Sequence, residues 1–224
     1  MAIRLSPHAK LIRFPSADGL SLEGRLTPGA ADRGVVLCHP HPLYQGSMLT
    51  PVIMTAEQAF QESGWSTLAF NFRGVGGSEG SYGEGRAETA DVSGALDFLQ
   101  GQLSGSPRLL AVAGFSFGSV VGGRVAASDP RVRFYLGIAP PTERSDFGFL
   151  KGATCAVALI APTQDEFADE ERLQALYLSL AATPWLRRIE TDHFFTGALP
   201  QLATAVKDAI AWAESTPKRP EPRA

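Results

Sequence analysis

The chain has 224 residues, 44% of them hydrophobic and 19% charged, with a formal net charge of −3. That length suits one domain with a sizeable core, and the composition is that of a soluble globular protein, not of a disordered one. The weakly acidic balance argues against nucleic acid or an anionic membrane surface as a partner, and no stretch reaches the roughly 18 apolar residues of a membrane span.

Met1 to His8 lacks the unbroken apolar run of a secretory signal, so a cytoplasmic location is expected. Lys10 to Ser16 and Leu20 to Leu26 flank the turn dipeptide Asp18-Gly19 and read as an antiparallel hairpin. Gly34 to Cys38 is a short buried strand. Ser47 to Ser63 carries Leu49, Val52, Ile53, Ala56, Ala59 and Phe60 at helical spacing and ends at Gly64. Trp65 to Phe72 alternates as a strand and runs into a glycine-rich loop; Arg86 to Leu103 is a helix with Val92, Ala95, Leu96 and Leu99 on one face. A strand from Arg108 to Phe115 is followed by a helix that stops near Asp129-Pro130. Further strands follow over Val132 to Ala139, Cys155 to Ala161 and Trp185 to Ile189, with helices over Glu170 to Ala182 and from Leu199 to Ala213. A strand pair followed by repeated strand–helix units builds a mostly parallel sheet covered by helices on both faces. Cys38 and Cys155 lie in apolar runs, where reduced buried side chains are expected. Residues 1–214 read as a single domain, and Ser215 to Ala224, with three prolines and no apolar anchor, as a frayed tail.

Gly114-Phe-Ser-Phe-Gly118 joins the apolar strand before it to the small-residue helix after it. This is the pattern of a nucleophile elbow, which lifts one serine hydroxyl above the carboxyl edge of a parallel sheet. Glycine is needed two residues to either side of Ser116 because a Cβ there would strike the neighbouring element. Gly76-Gly-Ser-Glu-Gly80 has the same five-residue spacing, but no strand precedes it and no helix can start after it, so Ser78 is a loop serine.

A serine hydroxyl attacks at neutral pH only when a base removes its proton. Of the four histidines, His193 lies in the loop after the last strand, which opens on the same sheet edge as the elbow. A carboxylate must fix the tautomer of that base. Asp165, at the carboxyl end of an earlier strand, fills that place, with Glu166 as its rival and Asp192 a weaker one. The order Ser116, Asp165, His193 is that of α/β-hydrolases. Two N–H donors must face the developing oxyanion. Phe117, at the start of a helix, supplies one; His41 or Leu43 supplies the other, since Pro40 and Pro42 have no N–H, and His41 is favoured. The His39-x-His41 pair lacks any accompanying carboxylate or cysteine cluster and is not read as a metal site. Arg73 to Gly80 places Glu79 where a dinucleotide fingerprint needs its third glycine. No cofactor is called for.

Five ordered motifs carry a resemblance over about residues 10–214. They are Cys38-His-Pro-His-Pro, Asn71-Phe-Arg-Gly-Val-Gly-Gly-Ser78, Gly114-Phe-Ser-Phe-Gly118, Ile138-Ala-Pro-Pro141 and Asp192-His-Phe-Phe195. In these the chain resembles the α/β-hydrolase superfamily, in its small lidless members akin to dienelactone hydrolases and bacterial carboxylesterases. The resemblance implies an eight-stranded α/β-hydrolase fold and a serine carboxylesterase acting on short to medium acyl esters. Dienelactone hydrolases have cysteine where this chain has Ser116, and the glycine usual before the acid is replaced by Ala161-Pro-Thr163. Only Thr142 to Ala153 separates Pro141 from the next strand, too short for a cap domain. Leu43, Tyr44, Phe115 and Phe194 are expected to contact the acyl chain, with Phe117 and Phe195 close by. A thioesterase or small amide hydrolase would use the same three residues, and a non-catalytic binding protein is the reading from a different class.

Overall fold

The computed structural model describes residues 6–106, 108–180 and 184–216. Eight strands form one sheet: β1 (Lys10–Pro15), β2 (Ser21–Thr27), β3 (Arg33–Cys38), β4 (Ser66–Phe70), β5 (Leu109–Phe115), β6 (Val132–Ile138), β7 (Ala156–Pro162) and β8 (Trp185–Ile189). Their order across the sheet is β1-β2-β4-β3-β5-β6-β7-β8. β1 and β2 make the expected hairpin, β2 runs antiparallel to β4, and every other pairing is parallel.

The strands that carry the site are buried on both faces, and their alternation sorts side chains between two cores. In β3, Val35 and Leu37 face α1 (Pro51–Glu62) and α5 (Leu199–Ser215), while Val36 and Cys38 face α2 (Glu88–Gln102) and α3 (Phe117–Ser128). In β5, Leu110 and Val112 take the α2/α3 side; Ala111, Ala113 and Phe115 take the α1/α5 side. Both cysteines are buried, as expected.

Helix limits shift by a few residues from the sequence expectation. α1 begins at Pro51 because proline lacks the N–H that a helix interior would need, and the first helical turn tolerates that loss. α2 begins at Glu88, whose carboxylate is fully buried and accepts the N–H groups of Gly83 and Gly85. α4 covers Glu170–Ser179, capped by the Asp169 carboxylate on the Arg172 N–H at 2.9 Å, and ends short of the expected Ala182 because Leu180 is already extended; residues 181–183 lie outside those described. At the other end, α5 absorbs Ser215, and the expected tail from 217 also lies outside them. Between β6 and β7 there is one 3-10 turn over Gly148–Gly152 and no cap domain. No helix among the described residues is long and apolar enough to cross a membrane.

One buried ion pair ties α1 to the antiparallel side of the sheet. The Arg25 guanidinium pairs with the Glu57 carboxylate, both almost wholly buried, and Thr67 Oγ1 and Gln61 Nε2 each donate to Glu57 Oε1 at 3.2 Å. Removing one partner leaves the other charge buried and uncompensated. Glu57→Gln should cost about 3–5 kcal/mol in urea unfolding, and Arg25→Met combined with Glu57→Leu should recover most of that loss. A double variant as unstable as the single one would show that the pair contributes more than mutual neutralisation.

Candidate active site

Ser116 sits between β5 and α3 with φ 54° and ψ −119°, a conformation that costs a non-glycine residue on the order of 1–3 kcal/mol. The neighbourhood holds it there. Its N–H donates to the Ile138 carbonyl at 2.9 Å, and its own carbonyl accepts the Ser119 N–H at 2.9 Å and the Ser119 hydroxyl at 2.5 Å. A Cβ on Gly114 would fall on the Gly118 carbonyl, and one on Gly118 would fall on the carbonyls of Cys38 and His39. The two glycines therefore let the turn close and let α3 start directly against the end of β3.

His193 stands on the loop after β8. Its Nε2 lies 2.9 Å from Ser116 Oγ and its Nδ1 2.8 Å from Asp165 Oδ2. The Asp165 side chain is fully buried, and its other oxygen accepts the Phe167 N–H at 2.8 Å. The rivals are placed elsewhere. Glu166 is exposed, and the Asp192 carboxylate accepts the N–H groups of Phe194 and Thr196, which hold it below the usual carboxylate range. Three phenylalanine rings surround the imidazole, Phe115 at 5.1 Å, Phe167 at 4.7 Å and Phe194 at 5.2 Å between centroids.

The loop after β3 is set by His39, which is fully buried. Its Nε2 accepts the Phe72 N–H at 3.0 Å, so Nδ1 carries the proton and donates to the Pro40 carbonyl at 2.6 Å. Burial pushes this imidazole down to about 4. His41 packs against Tyr44, Tyr82 and Phe117 at 4.9–5.0 Å. Its Nδ1 accepts the Leu43 N–H at 3.3 Å, which leaves Nε2 to donate to the Tyr82 hydroxyl at 3.1 Å. Burial lowers its pKa, with Glu88 pulling the other way. The Leu43 N–H is thus engaged, whereas His41 borders the cavity. Phe117 opens α3, where an N–H has no partner within the helix.

Ser116 and His193 open into a cavity of about 600 Å³, within the range of small-molecule sites. Tyr44, Phe117 and Phe194 line it, as the sequence suggested. Phe115 does not: as the last residue of β5 it follows Ala111 and Ala113 onto the α1/α5 face and backs His193 from the core. Phe195 is likewise core, and Leu43 points to solvent, 67% exposed, off the cavity wall. Missed by sequence reasoning are Tyr82, Val120, Val121, Arg124, Pro141, Arg144 and Phe167. The α3 members had a readable signal: Phe117, Val120, Val121 and Arg124 lie at i, i+3, i+4 and i+7 from the elbow and share one helix face. Ser78 is structural; its hydroxyl donates to the Asn71 carbonyl at 2.6 Å and accepts the Glu23 N–H at 2.9 Å. Among the described residues no group of three or more histidine, cysteine or acidic side chains has the arrangement of a metal site.

A family model described as X-Pro dipeptidyl-peptidase (S15 family) matches residues 27–179, a span that includes Ser116 and Asp165 and stops before His193. An α/β serine hydrolase without lid from Xanthomonas campestris superposes with a TM-score of 0.82 at 28% identity, covering 95% of this chain and 99% of that one. An uncharacterized protein of Rickettsia prowazekii is 28% identical over 215 residues, 91% of this chain and 90% of its own length. A thiohydrolase of Aspergillus aculeatus is 31% identical over 135 residues, 59% of this chain and 42% of that protein, so this chain spans less than half of the fungal enzyme.

The state of His39 makes stability depend on pH. Its folded pKa lies below the ordinary value near 6.5, so between about 6.5 and 4 the unfolded chain binds a proton that the folded one does not. Stability therefore falls as pH drops through that window, by about 3 kcal/mol for this group. In urea unfolding at pH 7 and pH 4, His39→Gln should show a drop smaller by about that amount; equal drops would remove His39 as the source.

Proposed function

We propose, from the premise that the chain belongs to the X-Pro dipeptidyl-peptidase (S15) family within the α/β-hydrolase superfamily, that this serine hydrolase is a carboxylesterase acting on short to medium acyl esters. The observation that carries the reading is the hydrogen-bonded line from Ser116 Oγ through His193 to Asp165, with Ser116 and His193 on the wall of a largely apolar cavity.

In this mechanism Ser116 Oγ attacks the ester carbonyl carbon while His193 Nε2 takes the hydroxyl proton. The buried Asp165 carboxylate accepts the Nδ1–H of His193, fixes the tautomer and stabilises the imidazolium that forms. The backbone N–H groups of Phe117 and His41 receive the oxyanion, with the N-terminal dipole of α3 adding to the field. The C–O bond to the leaving alcohol breaks as His193 returns the proton to that oxygen. Water then attacks the acyl-enzyme with His193 as base again, releasing the acid and restoring Ser116. Tyr44, Phe117, Val120, Val121 and Phe194 supply apolar surface for the acyl chain.

A thioesterase reading has its own support in the likeness to a thiohydrolase. The chemistry would be the same, with a thiolate leaving in place of an alcoholate. A purely binding role is disfavoured because it gives no reason to hold a serine in a strained turn against a histidine and a buried carboxylate.

The test is turnover of p-nitrophenyl esters of graded length, with acyl-CoA thioesters and a Gly-Pro p-nitroanilide as parallel arms. Ester hydrolysis by wild type should exceed both. Ser116→Ala should lower kcat by about 10⁵–10⁶, and Asp165→Asn by about 10⁴ through the wrong imidazole tautomer, while Glu166→Gln leaves it within twofold. Faster thioester than ester turnover would replace the carboxylesterase reading with the thioesterase one; equal rates for wild type and Ser116→Ala would end both.

A further inference from the structure

Ser116 lines the cavity, and α3 forms part of its wall along two turns. Phe117, Val120, Val121 and Arg124 all line it. From the cap residue Ser116 to Arg124 is eight residues, about 12 Å along the helix axis. The stripe is therefore a nucleophile, an apolar stretch, then a guanidinium. Arg144, on the segment after β6, lines the same cavity, and its guanidinium stacks on Phe167 at 4.7 Å, the ring that packs edge-on against His193.

Seven arginines among the described residues pair with carboxylates, as Arg131 does with Asp129 and Asp97 and Arg73 with Asp91, and Arg13, Arg86, Arg108 and Arg133 form no ion pair but do not line this cavity. Among the described residues neither Arg124 nor Arg144 forms an ion pair. Arg124 is steadied by a hydrogen bond from Nη1 to the Gly85 carbonyl at 3.0 Å and by the Phe149 ring, 5.9 Å from its guanidinium carbon, and Gly85 is held in turn by the buried Glu88. Glu84 is the acidic residue on the cavity wall. On the cavity wall itself two exposed guanidinium groups stand with one carboxylate, while the Glu88 carboxylate behind Gly85 is buried and spent on the Gly83 and Gly85 N–H groups, so a ligand carboxylate has cationic partners there.

We infer that the preferred substrate carries a carboxylate at the far end of an apolar chain, and that Arg124 and Arg144 select for it. This rests on the esterase reading and names its substrate class: half-esters of linear dicarboxylic acids. Arginine side chains lean toward the helix N-terminus, so the distance to be spanned is shorter than the backbone separation, roughly six to ten bonds. A guanidinium fork suits a planar carboxylate in two-point contact.

The test compares mono-p-nitrophenyl suberate with its counterpart in which the free carboxyl is methylated, so that charge is the main change. The quantity read is the ratio of kcat/KM for the anionic ester to that for the neutral one, within each variant, so that losses common to both substrates cancel. Wild type should favour the anion on the order of five- to tenfold. Arg124→Met or Arg144→Met should bring the ratio toward one, Arg124→Glu should invert it, and Glu84→Gln should raise it. A succinate half-ester, too short to reach, should show less preference than the suberate. A wild-type ratio near one, unmoved by these variants while the neutral ester is hydrolysed, overturns the inference and leaves the esterase reading intact. Turnover of neither ester, with thioesters also inert, ends both.

Discussion

The close approach of backbone to backbone at the elbow is the constraint on which the rest of the site depends. α3 begins where it does because Gly114 and Gly118 leave no Cβ between the turn, the helix start and the carbonyls at the end of β3. That contact sets three things at once. It places Ser116 above the sheet edge, starts α3 directly after it, and brings the loop of His39 to Gly46 alongside. The positive φ of Ser116 is the local strain that this packing sustains, and the hydrogen bonds to Ile138 and from Ser119 hold the corner against relaxing.

Around that corner, loops are held by buried charge and by single, fully used side chains. Glu88 pins the turn that carries Tyr82 and Gly85. Asp91 takes the backbone N–H and the guanidinium of Arg73 and so fixes the glycine-rich loop after β4. His39 bridges the end of β4 to Pro40 through both ring nitrogens. Each replaces regular secondary structure as the means of satisfying loop backbone, so the region next to the serine can be irregular and still well defined.

Much of this was legible in the residues. The strands along the chain followed from apolar runs and turn dipeptides, and Ser116, Asp165 and His193 were singled out from their places at the carboxyl ends of parallel strands; the fold brings the three within hydrogen-bond reach of one another. Ser78 was set aside by its local context, and its hydroxyl indeed serves a turn. Phe115 was misplaced because proximity to the serine along the chain says nothing about which face of β5 a side chain takes; the alternation with Ala111 and Ala113 held that information. Arg144 and Phe167 were not legible. They come from segments without periodicity, and only the folded path of the loops after β6 and β7 brings them to His193.

The short connection between β6 and β7 has a kinetic meaning. With no cap to close over Ser116, bulk water reaches the acyl-enzyme as freely as any alcohol or amine acceptor does. On the proposed mechanism, deacylation then partitions toward hydrolysis by mass action, and transfer to a second acceptor would require a pocket that concentrates it. On the same mechanism, the short β6–β7 connection gives the substrate no cap to displace on its way to Ser116.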